Sequence, residues 1–151
     1  MATRATILNN IAAELATITI AGGYATDAAA PILREVVHSD EVKESTRVTL
    51  ALEDLAEIEK LGRFRDGTVL ARFRVLVRAY LTARDHLEVP VDEVGLILAD
   101  LEKLIEKRPH ALGANVRFWE TLDTQNEGVG SSQGFVDVII QVTFWYSVGA
   151  P

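Results

Sequence analysis

The stretch GTVLARFRVLVRAYLT, residues 67–82, keeps a period of two for longer than almost any other part of the chain. Strict alternation places successive side chains on opposite faces of a β-strand. The odd-numbered positions are all apolar: Val69, Ala71, Phe73, Val75, Val77, Ala79 and Leu81. The stretch therefore predicts a long strand with one face against a core.

The opposite face of this strand is mixed. Its positions are Leu70, Arg72, Arg74, Leu76, Arg78, Tyr80 and Thr82. Leu70, Leu76 and Tyr80 form an apolar strip among three arginines, and a strip of this kind often has something packed against it. Two covers are possible, a second layer of the same domain or a neighbouring copy of the chain.

Length and composition limit the classes of protein. A chain of 151 residues is one ordinary domain that buries roughly 70% of its unfolded surface. It has no cysteine, which excludes disulfides and thiolate chemistry and fits synthesis in a reducing cytoplasm. The net charge of −7 opposes tight binding of nucleic acid through its phosphates. We expect DNA to pass such a surface without specific binding.

Neither export nor membrane insertion is predicted. Asn9, Asn10 and Glu14 interrupt what would have to be an apolar signal core. No uncharged apolar run approaches the ~18 to 20 residues that a membrane span requires. The sequence therefore predicts no contact with a membrane.

Two segments show helical periodicity. In residues 3–18, Ile7, Ile11, Leu15 and Ile18 recur at three- and four-residue steps, and Gly22-Gly23 offers a left-handed cap. Residues 91–107 form the clearest helix, which Pro109 ends. Its apolar face comprises Val94, Ile97, Leu98, Leu101, Leu104 and Ile105.

Further strands are predicted over residues 31–38, 115–121 and 134–148, with a glycine- and serine-rich connection at 126–133. Residues 47–61 fit a strand or a helical stripe. We favour a strand to about Leu52, followed by an irregular acidic arm that returns through Gly62 and Arg63. Asp66-Gly67 would then be the turn into the long strand.

The order of helix, strands, helix and strands predicts an α+β fold, with a largely antiparallel sheet and two helices packed on one face. Since no repeat or linker interrupts the chain, residues 1–151 are predicted to form a single domain.

The sequence nominates no catalytic residue. His38, His86 and His110 lack metal-ligand spacing, so no metal site or cofactor is predicted. The glycine-rich residues 128–134 lead into a strand, whereas phosphate loops rely on a helix N-terminus. There is no GxSxG elbow, and no base or metal accompanies the acids of residues 53–59. We therefore expect a protein that is not an enzyme.

Aromatic and charged residues indicate self-association instead. By alternation Trp119 and Trp145 fall on the more polar sides of their strands, where a loop or an interface would have to cover them. The arginines of the long strand favour salt bridges within or between subunits. The predicted subunit interface comprises Leu70, Arg72, Arg74, Leu76, Arg78, Tyr80, Trp119 and Trp145.

The order of these parts resembles that of the tail terminator (tail completion) proteins of tailed bacteriophages. The resemblance covers nearly the whole chain and lies in the order of its parts. Its parts are a first helix ending near Gly23-Tyr24, then Thr26-Asp27, the acidic segment 53–59, Gly62 and Arg63, the long strand to Tyr80, a second helix, Leu112-Gly113, and a last strand with Phe144 and Tyr146.

The resemblance implies a structural virion protein at the junction of tail and neck. Such a protein forms a ring, commonly a hexamer, that caps the tail tube, ends its polymerisation and joins it to the head connector. The expected partners are thus further copies of the chain, the tail tube protein and a connector or neck protein. Because an acidic lumen repels DNA in transit, we hypothesise that some acids line the pore. The candidates are Glu53, Asp54, Glu57, Glu59, Asp123 and Glu127.

Two alternatives remain open at this point. A head-completion or neck adaptor protein would share the ring but bind the portal side. A small-molecule-binding α+β domain of the host cytoplasm would instead be a monomer with a deep apolar pocket. Measurement of the mass in solution distinguishes the ring from the monomer.

Overall fold

The structure is a computed structural model, and it describes residues 3–26, 48–82, 91–108, 111–127 and 133–147. Its helices and strands are α1 Arg4–Leu15, β1 Val48–Arg63, β2 Thr68–Thr82, α2 Val91–Lys107, β3 Val116–Glu127 and β4 Gln133–Ser147. These four strands form one sheet in the order β1-β2-β4-β3, and every neighbouring pair is antiparallel. The predicted α+β class with an antiparallel sheet is confirmed.

The two central strands pair without a break. Val69 lies opposite Tyr146 at one end of the β2–β4 ladder, and Ala79 lies opposite Val136 towards the other. The odd-numbered side chains of β2 from Val69 to Ala79 and the even-numbered side chains of β4 from Val136 to Tyr146 are all buried. The alternation predicted for both strands is confirmed, and we call this side of the sheet the core face.

Both helices contribute to the same buried cluster as the core face. From α1 it includes Ile7, Ile11 and Leu15, and from α2 it includes Ile97, Leu101 and Leu104. The predicted bounds of α2 are confirmed. The first helix is shorter than predicted because it ends at Leu15, although Ile18 is buried as expected.

The segment after α1 is held against α2 by a buried carboxylate. Asp100 accepts hydrogen bonds of 2.9 Å from the backbone amides of Ala25 and Thr26, and one of 2.6 Å from the Thr26 hydroxyl. Lys103 donates one of 2.5 Å to the carbonyl oxygen of Gly23, which has a positive φ of 92°. Gly23 therefore belongs to a turn beyond the helix and does not cap α1.

The prediction of an irregular acidic arm after Leu52 is wrong. Strand β1 continues to Arg63 and pairs with β2 along its length, with register shifts after Asp54 and after Lys60. The acidic side chains interrupt the apolar alternation but leave the backbone ladder in place. The predicted turn is confirmed: Gly67 has a φ of 85°, and its amide donates to the carbonyl oxygen of Phe64 at 3.1 Å.

Strand β3 is longer than predicted, because it continues from Thr121 to Glu127. The connection to β4 is shorter for the same reason. The predicted strand over residues 31–38 and the three histidines lie outside the described residues.

Candidate interaction surface

The side of the sheet opposite the core face carries all three arginines of β2, and we call it the arginine face. Because β2 is a central strand of the described sheet, its side chains have neighbours on both β1 and β4. Leu76, for example, lies opposite Glu53 on β1 and Ile139 on β4, and Ile139 lies opposite Asp123 on β3. One row across four strands thus has an apolar middle and an acid at each end.

Two of the three arginines form ion pairs within the chain. Arg72 donates to Glu59 through Nε at 2.5 Å and Nη2 at 2.9 Å. Arg78 donates to Asp137 through Nε at 2.6 Å and Nη2 at 2.7 Å. The two-bond geometry orients both groups of each pair. The alternative of salt bridges within the subunit is therefore confirmed for Arg72 and Arg78.

The ion pairs also shift the pKa values of Glu59, Arg72 and Arg78. The hydrogen bond from Arg72 holds the pKa of Glu59 below its usual value of 4.5. The carboxylate of Glu59 raises the pKa of Arg72, and that of Asp137 raises the pKa of Arg78, in each case mainly through the hydrogen bond. The two arginines are therefore neutralised by carboxylates of their own chain.

The arginine face is closed near Arg78. The Arg78 guanidinium lies 3.8 Å from the centre of the Phe135 ring, a cation–π contact. Tyr80 is only 3% exposed within a single chain. It is therefore not available to a sister molecule, and its predicted place in a subunit interface is wrong.

Next to this closed region the arginine face has an apolar depression of about 200 Å³. Leu55, Leu76 and Ile139 supply its apolar surface, and Asp123 and Gln125 are among its polar residues. Leu55 is 36% exposed, which is high for a large apolar side chain of a strand. The depression is smaller than the roughly 300 Å³ or more of typical small-molecule pockets, so its size suits a protein side chain better.

The turn between β1 and β2 carries another apolar surface, which we call the hairpin tip. Leu61 is 42% exposed and Phe64 is 47% exposed. The cations Lys60, Arg63 and Arg65 of the same segment are also exposed. The ring of Phe64 packs against that of Trp145, with 4.8 Å between the centroids. The tip is therefore an exposed apolar turn that carries cations and packs against the ring of Trp145.

Trp119 does not lie on the arginine face, so the sequence-based prediction for it is wrong. It lies opposite Val142 on the core face, is 3% exposed, and donates from Nε1 to the carbonyl oxygen of Arg108 at 3.1 Å. A register shift between Val116 and Phe118 adds one residue to β3 and reverses the alternation. We therefore remove Trp119 from the predicted interface.

The remaining residues of the predicted interface share the arginine face. Leu70 and Trp145 lie opposite each other and are half-buried, near an open hollow of about 390 Å³ beside Thr68 and Asn115. Arg74 is exposed, and within the described part of the chain no carboxylate bonds to it. Sequence alternation thus grouped Leu70, Arg74 and Leu76 correctly on one face.

The acids predicted to line a pore lie in different environments in the structure. Asp54 is on the core face and forms an ion pair with Arg4 of α1, so its prediction as a pore residue is wrong. Glu59 is neutralised by Arg72. Glu53 and Asp123 are exposed on the arginine face. The side chains of Glu57 and Glu127 lie outside what the structure describes.

Sequence reasoning missed Leu55, Phe64 and Ile139 as surface residues. Ile139 could have been found, because it alternates with buried residues of β4 and pairs with Leu76 once the strands are aligned. Leu55 was missed because the predicted strand ended at about Leu52, which left this residue in the predicted irregular arm. The burial of Asp100 could not be predicted either, because an acid in an otherwise apolar helical face is normally expected to be exposed.

The described residues contain no group of three or more potential metal ligands and no helix long and apolar enough to span a membrane. No protein-family model matches the sequence, and no curated protein is significantly similar to it. A functional interpretation therefore depends on the geometry above and on the order of parts along the chain.

Proposed function

We propose that this protein is a structural virion protein of a tailed bacteriophage. In this proposal, copies of the chain form a ring, most simply a hexamer, on the end of the tail tube. The ring ends polymerisation of the tube protein and presents a surface to the head connector or neck protein. The α+β fold and the order of its parts along the chain support the proposal.

The observation that carries the proposal is that one chain presents two unlike apolar surfaces, the depression and the hairpin tip. Closed rings are built from heterologous contacts, in which one patch of each subunit meets a different patch of the next. A two-fold dimer built on a single self-complementary patch would need only one such surface. Two separate surfaces are therefore what a ring subunit requires.

The charges of the arginine face support a structural rather than a catalytic function. Glu59 and Asp137 are the carboxylates nearest the arginines, and both are bonded to them within the chain. A group engaged in this way is not poised as a general base or nucleophile. The net charge of −7 further suits a ring through which DNA passes without being held.

The proposal is tested by native mass spectrometry and negative-stain electron microscopy of the purified chain at micromolar concentration. We expect a closed ring with a central channel wide enough for duplex DNA. Adding the ring to polymerising tail tube protein should shorten the tubes and place the ring at one end. A protein that stays monomeric at all concentrations, or that leaves tube length unchanged, would contradict the proposal.

A further inference from the structure

We infer that the subunit contact is made by the hairpin tip of one copy entering the depression on the arginine face of the next copy. This inference rests on the proposed function, because it names the two surfaces that a ring would join. It is carried by the shape, the apolar character and the charge of the two surfaces.

The hairpin tip has the character of an inserted element. It joins two long paired strands, and the turn at Gly67 is closed by two backbone hydrogen bonds, from the Phe64 amide to the Thr68 carbonyl oxygen and from the Gly67 amide to the Phe64 carbonyl oxygen. Asp66 accepts from the amide of Thr68 at 2.9 Å and from its hydroxyl at 2.7 Å. A turn held in this way loses little conformational freedom when it is buried, which favours binding.

The depression is suited to receive an apolar side chain. Its apolar floor of Leu55, Leu76 and Ile139 is continuous across β1, β2 and β4. Phe64 at the tip has about half of its surface available for burial. Aromatic side chains buried in such sites commonly dominate the binding energy of an interface.

The charges of the two surfaces are complementary. Glu53 and Asp123 are exposed at the two ends of the row that contains Leu76, while Arg78 and Asp137 beside it neutralise each other. Arg74 adds one positive charge on the neighbouring row. The border of the depression thus has a small excess of negative charge, opposite in sign to the tip, where Lys60, Arg63 and Arg65 outnumber Asp66.

A chain cannot make this contact with itself. Along β2, Leu70 lies opposite Gly62 near the tip, whereas Leu76 lies in the depression. Six residues of strand separate the two, which is about 20 Å. Strand β2 is paired on both sides along this length, so the hairpin cannot fold back. A tip bound in the depression therefore belongs to a second copy.

Disulfide cross-linking tests the contact directly, since the chain has no cysteine of its own. A Phe64→Cys variant and a Leu76→Cys variant, one carrying a size tag, are mixed and oxidised. We expect a disulfide-linked heterodimer in clear excess over that formed by Phe64→Cys with Leu96→Cys, a control on the exposed side of α2. A yield equal to the control would overturn the inference.

Charge reversal gives a second, independent test. The tip variant Arg63→Glu/Arg65→Glu and the depression variant Glu53→Arg/Asp123→Arg should each associate at least about tenfold more weakly than the wild type. An equal mixture of the two should regain assembly, because each tip then meets the opposite charge on the other variant. Variants that assemble like the wild type, or a mixture that stays dissociated, would count against the contact.

The two proposals fail in different ways. Closed rings in electron micrographs with cross-linking at the control level would overturn this contact and leave the ring in place. Specific cross-linking in dimers or open filaments would support the contact and overturn the ring. A monomer with only control-level cross-linking would overturn both.

Discussion

The large aromatic side chain of Trp119 packs in the core of its own chain. The indole ring is almost fully buried and its Nε1 has a backbone acceptor, the carbonyl oxygen of Arg108 just beyond α2. The side chain thus links the end of α2 to β3. An indole whose ring is buried and whose N–H group has an acceptor stabilises the fold, and it has no surface left with which to bind a partner.

Replacing Trp119 with alanine should therefore destabilise the isolated chain by about 3–5 kcal/mol, the usual cost of removing a buried aromatic side chain. Trp145→Ala is the matched control, and it should cost less because Trp145 is half-buried. Urea denaturation at low protein concentration measures both. Unchanged stability in the Trp119 variant would place the indole at a surface instead.

The ion pair between Glu59 and Arg72 predicts a dependence of stability on pH. Because folding lowers the pKa of Glu59 below 4.5, the pair stabilises the fold fully above that pH and loses its contribution as the pH falls through the lowered value. Both side chains are substantially exposed, so the effect should be small. The melting temperature of the wild type should exceed that of Glu59→Gln at pH 7, and the difference should shrink below pH 4.5. A difference that persists undiminished at pH 3 would exclude this origin.

Among the elements, regular periodicity was enough to predict α2, β2 and β4, whereas the edge strands were predicted poorly. In β1, Asp54 pairs with Val75 and Ile58 with Phe73, so three residues of β1 occupy the space opposite Arg74. Each inserted residue shifts the alternation, and periodicity alone cannot reveal it. Leu55, which lines the depression, belongs to this irregular segment. Arg78 and Asp137 lie on different strands, so their pairing could be predicted only from the register of β2 against β4 and not from any single stretch of sequence.

The β1–β2 hairpin provides a matched pair of glycine substitutions. Gly67 has a φ of 85° and free space around its α-carbon, so alanine there is penalised by backbone strain and not by a clash. We expect Gly67→Ala to destabilise the protein by about 1–2 kcal/mol. Gly62 in β1 also has free space but no positive φ, so Gly62→Ala should be neutral or slightly stabilising. Equal effects in thermal denaturation would contradict this assignment of the turn.

For the whole molecule, the proposed ring would couple assembly to folding. A subunit that binds its neighbours only when folded is stabilised by them, so its melting temperature rises with protein concentration. Each tenfold increase in concentration should add roughly 1 kcal/mol per subunit. For a domain of this size that corresponds to about 2–4 °C.

A substitution at the hairpin tip should remove this dependence on concentration without unfolding the chain. Phe64→Asp places a charge where the inferred contact buries an aromatic ring, but Phe64 is already half exposed in the single chain. At the lowest concentration its melting temperature should therefore fall only by the loss of the contact with Trp145, and it should stay constant as concentration rises. Leu96→Asp, on an exposed position of α2, should retain the wild-type slope. A Phe64→Asp protein that melts with the wild-type slope would show that assembly does not use the tip.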